Sequence, residues 1–502
     1  MGERMSFTRR NLLAFGSGLG LTGSLASIAE ATDQPGTPLR VRQNITEFAQ
    51  DPGKVSALRK AVGRMKDKSK ANPHDPYGWA YWAAIHGTTE AALPNLDKIY
   101  NQCDHSYPGY VAQHFLSWHR AYLYFFETVL KKAASEIPGA VDFELPYWDW
   151  YSTPRMPEIF VTDNGATNPL WNRRTIVDLS GATLKRNSFG KAAMLPGGGT
   201  PPKESFSWLL EADPHGAIHG LIGGDMGFVT SSARDPIFWL HHANIDRLWT
   251  AWMKAKSRTL PPEGSSWHNA SWKYDAAGTW TQRAGEMLDQ SKLGYRYDDE
   301  SMPVHPAVPV AQVPSMVVLA QAAPVPAGSP SAATTMGAEA TSMSATAAPV
   351  ALASGVVAVE LKIAPQNQGK LIALSQTPAA SPITTANIVL EDVEVSDSGK
   401  QGGFGFDVVV STVTGARVSI GTINTFTLSA LDHGGGHAGH NMKRTLRFSL
   451  PSILGDLGVK TTAGLANGLT VAFVPVHPQS TDPKAFVTIG AVRIQASSQP
   501  IQ

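Results

Sequence analysis

Two periodicities divide the chain. Between residues 38 and 297 apolar positions recur every three to four residues, in segments separated by Pro- and Gly-rich loops, which is the pattern of amphipathic helices. Residues 78–88 (GWAYWAAIHGT) are aromatic at helical spacing. Residues 115–134 carry Trp118, Tyr122, Phe125, Phe126, Val129 and Leu130 on a broad apolar stripe that ends in Lys131 and Lys132, cations suited to a helix C-terminus. Residues 236–256 open on a proline and repeat Phe238, Leu240, Ile245, Leu248, Trp249 and Trp252. These segments predict helices packed on one another. Beyond Gly355 the period falls to two. The runs 356–363, 388–395, 404–410 and 470–476 alternate or are β-branched, with Gly, Asn and Asp turns between them. The expected fold is a mainly α domain followed by an all-β sandwich of roughly 140 residues.

Between the two, residues 302–354 are dominated by Ala, Pro, Ser, Thr, Val and Met, with one charged residue, Glu339. Such a segment offers little surface to bury and predicts a mobile linker. The N-terminus has the layout of an address. Thr8-Arg9-Arg10-Asn11-Leu12-Leu13 precedes a short, glycine-rich apolar stretch and a small-residue site at Ala29-Glu30-Ala31. This predicts a twin-arginine signal cleaved after Ala31 and export to the periplasm or beyond, with no stable membrane insertion afterwards. The expected division is therefore a signal at 1–31, a catalytic domain at 32–300, a linker at 301–355 and a β-domain at 356–502.

Charge changes little in this picture. The formal net charge is +1 and charged residues make up 17%, which gives no electrostatic footprint for nucleic acid. The 13 Trp, 18 Phe and 12 Tyr, all but six Phe of them in the first 300 residues, are more informative because they can build a rigid apolar pocket. The single cysteine, Cys103, excludes an intrachain disulfide.

The candidate chemistry lies in the histidines. His215 and His219 stand four apart in DPHGAIHG, on one helical face. RDPIFWLHH brings His241 and His242 into an apolar helix, where a buried imidazole needs a partner and a metal is one of few that serve. An upstream group has the same make-up: His86 in the aromatic helix, and His105, His114 and His119 in CDHSYPGYVAQHFLSWHRAYLYFFE. Two all-imidazole triads without carboxylates favour copper over magnesium, calcium or a carboxylate-rich iron site, although zinc would accept the same ligands.

Taken together, FLSWHRAYLYFFE, LPYWDW, HGAIH, DMGF and SARDPIFWLHHANIDRLW resemble the tyrosinase and catechol oxidase family of binuclear copper proteins. IVLEDVEV, FDVVV, TLRFSLPSILGDLG and AFVTIGAVRI resemble the β-domain of plant-type polyphenol oxidases. The resemblance implies a four-helix dicopper core, two copper ions, dioxygen as co-substrate and small phenols as substrates. It implies that His86 and His119 bind copper A and that His215, His219 and His242 bind copper B, with His241 beside them and Asp246 orienting neighbouring ligands. The third copper A ligand departs from the family spacing, because Tyr110 stands at the usual position. His105 is expected instead, following Cys103 in a Cys-X-His arrangement that forms a thioether in part of the family. His114 is the alternative.

Three further positions are implied to set the chemistry. Glu211 stands where plant-type relatives hold a water with a carboxylate. Gly216 stands where an asparagine would assist it, which favours catechol oxidation to o-quinones over phenol hydroxylation. Val229 and Gly220 are expected to leave the pocket open. The resemblance also leaves an o-aminophenol oxidase and a haemocyanin-like dioxygen carrier as alternatives. It implies a β-domain that shields the site until the linker is cut. Outside the motifs, His433, His437 and His440 in a glycine-rich loop, with Met442, suggest either a copper-collecting surface or a flexible loop with incidental histidines; the linker residues Met302, Met316, Met336 and Met343 invite the same reading but need no explanation in an Ala-rich segment.

Overall fold

The computed structural model describes residues 38–106, 110–162, 167–196, 205–303, 318–322, 340–433, 443–477 and 484–498. The twin-arginine segment, Met316, Met336 and the histidine loop at 434–442 lie outside them.

The helices that position the site in the first domain are α1 (Pro52–Ala71), α2 (Trp79–His86), α3 (Phe115–Ser135), α4 (Phe206–Leu210), α5 (Gly216–Ile222) and α6 (Pro236–Met253). Their ends follow the sequence signals. Asp51 accepts from the Gly53 and Lys54 amides ahead of α1, which has proline in its first turn and Lys68 and Lys70 in its last. Asp235 caps α6 through the Ile237 amide, and its buried carboxylate also takes Arg174 at 2.6 Å. A kinked turn, Glu211–His215, in which Asp213 is extended, joins α4 to α5. All of α6 from Pro236 to Trp252 is buried. This helix therefore forms the centre of the core, with α2, α3 and α5 presenting histidines towards it.

One side of α3 and α6 is fastened by buried charge. Arg42 binds Glu127 at 2.8 Å, while Asp246 accepts from Arg120 at 2.5 Å, Tyr295 at 2.7 Å and Tyr297 at 2.6 Å. The expectation that Asp246 orients metal-side imidazoles is thereby corrected. Its carboxylate locks Arg120, the residue after His119, to the helix that carries His242. Arg247 turns instead to Asn244 and Asp149.

The second domain contains strands β1 (Val318–Ala322), β2 (Ala340–Ala345), β3 (Val350–Leu352), β4 (Val357–Leu361), β5 (Thr385–Val395), β6 (Phe406–Ser411), β7 (Arg417–Ile423), β8 (Arg444–Ser449), β9 (Leu469–Pro475), β10 (Val487–Ile489) and β11 (Ala491–Ser497). One sheet runs β7–β6–β9–β4–β1 and the other β2–β11–β5–β10–β3, with β8 also pairing β5. The long apolar β5, whose Ile388 and Leu390 are fully buried, is the spine of the second sheet. The expected β-domain is present, with α7 (Pro365–Gln376), α8 (Thr425–His433) and α9 (Leu450–Asp456) packed with its sheets. One expectation is revised: β1, β2 and β3 fall within 301–355, where a linker was expected, and Met343 is buried in β2. Low-complexity composition does not prevent a short segment from completing a sheet edge once a partner strand supplies the hydrogen bonds.

The β-domain is seated directly on α5. Asn424, just ahead of α8, donates through Nδ2 to Gly216 O at 3.1 Å, and Gly403 N donates to Gly220 O at 2.8 Å. Lys185 reaches across to Asp407 at 2.6 Å. The approach is close enough that a Cβ on Gly220 would stand 2.5 Å from Asn424 Cβ.

Candidate metal centre

Two buried groups meet where α2, α3, α5 and α6 converge. His86, Cys103, His105 and His119 form one, and His215, His219, His241 and His242 the other, the candidate ligand atoms of each group lying within 4.8 Å of one another. The stacked rings of His119 and His242, 4.2 Å apart, join them.

What orients these rings is a set of hydrogen bonds at one nitrogen. Nδ1 donates to Val229 O from His86 at 3.0 Å, to Phe115 O from His119 at 2.7 Å, to Glu211 O from His215 at 3.1 Å and to Met226 O from His219 at 2.8 Å. His105 Nδ1 donates to the Glu211 carboxylate at 3.2 Å. A nitrogen that donates to an oxygen holds the ring proton, so Nε2 keeps a bare lone pair. These Nε2 atoms crowd inwards, 3.4 Å apart for His86 and His105 and 3.3 Å for His219 and His242. Burial, and then mutual repulsion, push His119, His215, His219 and His242 well below the usual imidazole range. Imidazoles converging in a dry space, most of them oriented through Nδ1, suit a soft-to-borderline metal, and no carboxylate belongs to either group.

His241 belongs to the second group but differs chemically. Its Nδ1 accepts from Trp150 Nε1 at 3.1 Å, so its Nε2 carries the proton and has no partner among the described residues. His114 stays outside both groups, stacked on Trp267 at 5.4 Å, and Tyr110 is 40% exposed. The loop at 103–106 therefore brings in His105, with Cys103 Sγ 3.2 Å from its Nε2 and 3.5 Å from that of His119. Burial raises the Cys103 thiol.

Glu211 is committed to this loop. Its carboxylate accepts from Ser106 N at 2.7 Å, Ser106 Oγ at 2.5 Å and His105 Nδ1. One carboxylate thus ties the loop bearing His105 to the turn bearing His215.

The expectation of an open pocket is overturned for the full chain. Val229 is fully buried against Phe426 and Ala430 of α8, and its amide donates to Ser429 Oγ at 3.0 Å. The Phe426 ring stacks on His219 at 4.1 Å and meets His105 and His215 edge-on at 5.1 and 5.4 Å. The space that Val229, Gly216 and Gly220 leave free is filled by the β-domain. Nothing in TFTLSAL marks Phe426 for this place, since the run reads as ordinary core.

The family model described as the common central domain of tyrosinase matches residues 76–205 and 163–255. A tyrosinase of Hahella sp. (strain CCB-MM4) is 30% identical over 328 residues, covering 56% of this chain and 68% of that protein. The (+)-larreatricin hydroxylase of Larrea tridentata is 30% identical over 313 residues, covering 54% of this chain and 51% of that one. The structure of latent apple tyrosinase aligns over 92% of this chain and 98% of its own, at 21% identity and a TM-score of 0.46.

Proposed function

Since the chain belongs to the tyrosinase family of copper oxidoreductases, we propose that it oxidises o-diphenols to o-quinones with dioxygen, accompanied by weak hydroxylation of monophenols. The observation that carries this reading is the convergence of six buried imidazoles, five of them with Nδ1 bonded to an oxygen and Nε2 turned inwards. His86, His105 and His119 would hold copper A, and His215, His219 and His242 copper B. His241, with its proton on Nε2, is a neighbour of the site and not a ligand. Bound there, the copper pair supplies dioxygen binding and two-electron redox chemistry. The protein contributes fixed imidazole orientation, exclusion of water and control of access.

Two features support diphenols over monophenols. The Glu211 carboxylate is engaged by His105 and Ser106, and Gly216 offers no side chain to hold a water beside it. Neither is placed to take a phenolic proton. Val229 and Phe426 bear on access, since Phe426 covers the His105, His215 and His219 rings while the β-domain is seated. We read the full chain as latent, with cleavage between the domains releasing activity. Export by the twin-arginine route would carry it out folded, with copper loaded.

The capping ring also favours a second reading, reversible dioxygen carriage, because a carrier must keep organic donors from its metals. Oxygen uptake by the copper-loaded protein, with catechol and with tyrosol, before and after limited proteolysis, tests both. Strong uptake with catechol after cleavage and little with tyrosol is expected. No uptake in either form, with two coppers bound, would point to the carrier.

A further inference from the structure

A row of aromatic rings leads from the first histidine group out through the helical core. The His86 ring lies 6.4 Å from Tyr122. Trp118 stacks on Tyr122 at 4.7 Å and meets His119 edge-on at 4.9 Å. From Tyr122 the centroid steps are 6.0 Å to Trp82, 6.1 Å on to Tyr81 and 5.7 Å on to Tyr100. All of these rings are buried. The row ends at His74, half-buried at the surface, whose Nδ1 is 2.9 Å from the Tyr100 hydroxyl.

The hydroxyls along the row differ in what they meet. Tyr122 donates to Trp82 O, Tyr81 to Tyr274 O at 3.1 Å and Tyr274 to Trp118 O at 3.1 Å. A carbonyl oxygen cannot take a proton away. Tyr100 donates to an imidazole, and His74 Nε2 donates to Pro94 O at 3.0 Å, which leaves Nδ1 bare and facing the phenol. A phenol that loses an electron must also lose its proton, so among these tyrosines Tyr100 is the one built to hold an oxidation. It sits at the end of the row remote from the ligands.

The geometry points to a protective electron relay, in which Tyr100 and His74 discharge oxidising equivalents that dioxygen leaves at copper A when no phenol is available to reduce them. This rests on the copper-pair reading above, and the Phe426 cap makes substrate-free exposure the resting condition of the full chain. In the balanced step, with copper bound, one electron would pass from Tyr100 through Tyr81, Trp82 and Tyr122 to the oxidant that dioxygen leaves at the metal site, which would be reduced by one equivalent. The Tyr100 proton moves to His74 Nδ1 and leaves a neutral tyrosyl radical. A small soluble reductant, such as a thiol or ascorbate, returns one electron, and the proton comes back from His74. Without the relay the nearest oxidisable groups are Trp118 and the Cys103 thiol, the latter 3.2 Å from His105 Nε2.

The test uses full-length protein loaded to two coppers per chain and treated with hydrogen peroxide in the absence of phenol. Electron paramagnetic resonance detects the radical, and peptide mass spectrometry of a nitroxide adduct locates it. Wild type is expected to carry the adduct on Tyr100. Tyr100→Phe keeps the ring and His74→Gln keeps a hydrogen-bonding side chain. Both should lose that adduct, accumulate oxidised Cys103 and Trp118, and lose catechol activity severalfold faster during the incubation. Identical adduct maps and inactivation rates in all three proteins would overturn the relay. If those proteins still hold two coppers and turn over catechol once cleaved, the function proposed above stands without it. A wild type that binds no copper overturns both.

Discussion

Glu211→Gln isolates what the buried carboxylate does. In the folded protein it accepts three hydrogen bonds, from Ser106 N at 2.7 Å, Ser106 Oγ at 2.5 Å and His105 Nδ1 at 3.2 Å. Glutamine has nearly the same shape but carries no charge, and it replaces one acceptor oxygen with a donor. Hydrogen bonds to a charged group contribute about 1.5–3 kcal/mol and neutral ones about 0.5–1.5, so each surviving bond weakens by about 1 kcal/mol. The Ser106 bonds shape the loop. The His105 bond acts directly on the ligand, because a carboxylate on Nδ1–H makes Nε2 more basic and fixes the ring.

Loss of such an outer partner weakens metal binding by about 10–100-fold, and this should fall on copper A alone. The copper B side is insulated, since His215 Nδ1 donates to the Glu211 backbone oxygen, which the substitution leaves in place. Equilibration against graded chelator, followed by copper analysis, reads the effect directly. Wild type should release both coppers over one range, and Glu211→Gln should give up one of them at markedly weaker chelation. If both coppers are retained equally while tyrosol hydroxylation alone falls, the carboxylate serves the substrate, and the clamp reasoning is refuted.

Phe426→Ala should activate the uncleaved chain. Loss of a buried phenyl contact removes about 3 kcal/mol of docking energy, up to about a hundredfold in the open population; catechol turnover in the full chain should rise while the cleaved enzyme is unchanged, and equal rates before and after substitution would dismiss the capping role. Asp246→Asn leaves Arg120 and Arg42 buried with an incomplete counter-charge, at a cost of about 3–5 kcal/mol; a loss under about 1 kcal/mol in urea unfolding would show that the network is not structural. Copper bound at a free concentration about 1,000-fold above its Kd should stabilise the fold by about 4 kcal/mol, so chelation should lower the melting temperature and copper should restore it; an unchanged melting curve would place the metal elsewhere.

Much of this protein was legible along the chain. The 3.6-residue stripes of α3 and α6 and the period of two beyond residue 355 are local consequences of burying one face of a helix or strand, so they appear in any stretch of sequence long enough to show the period. The histidine spacings were equally local, since His215 and His219 share a helical face whatever else surrounds them. Other features required the assembled fold. His105 rather than His114 joins the first group because of the path taken by the loop at 103–106 and the grip of Glu211, a residue more than one hundred positions away. The short strands β2 and β3 form where composition suggested a linker, because partner strands from the end of the chain complete their hydrogen bonds. The openness expected at Val229 and Gly220 came from the small size of those residues, which is a property of the sequence. What fills that space is a phenylalanine some two hundred residues later. Periodicity records which faces must be buried, whereas the choice of residue that buries them belongs to long-range packing. That is why the dicopper core could be read from the sequence and its cap could not.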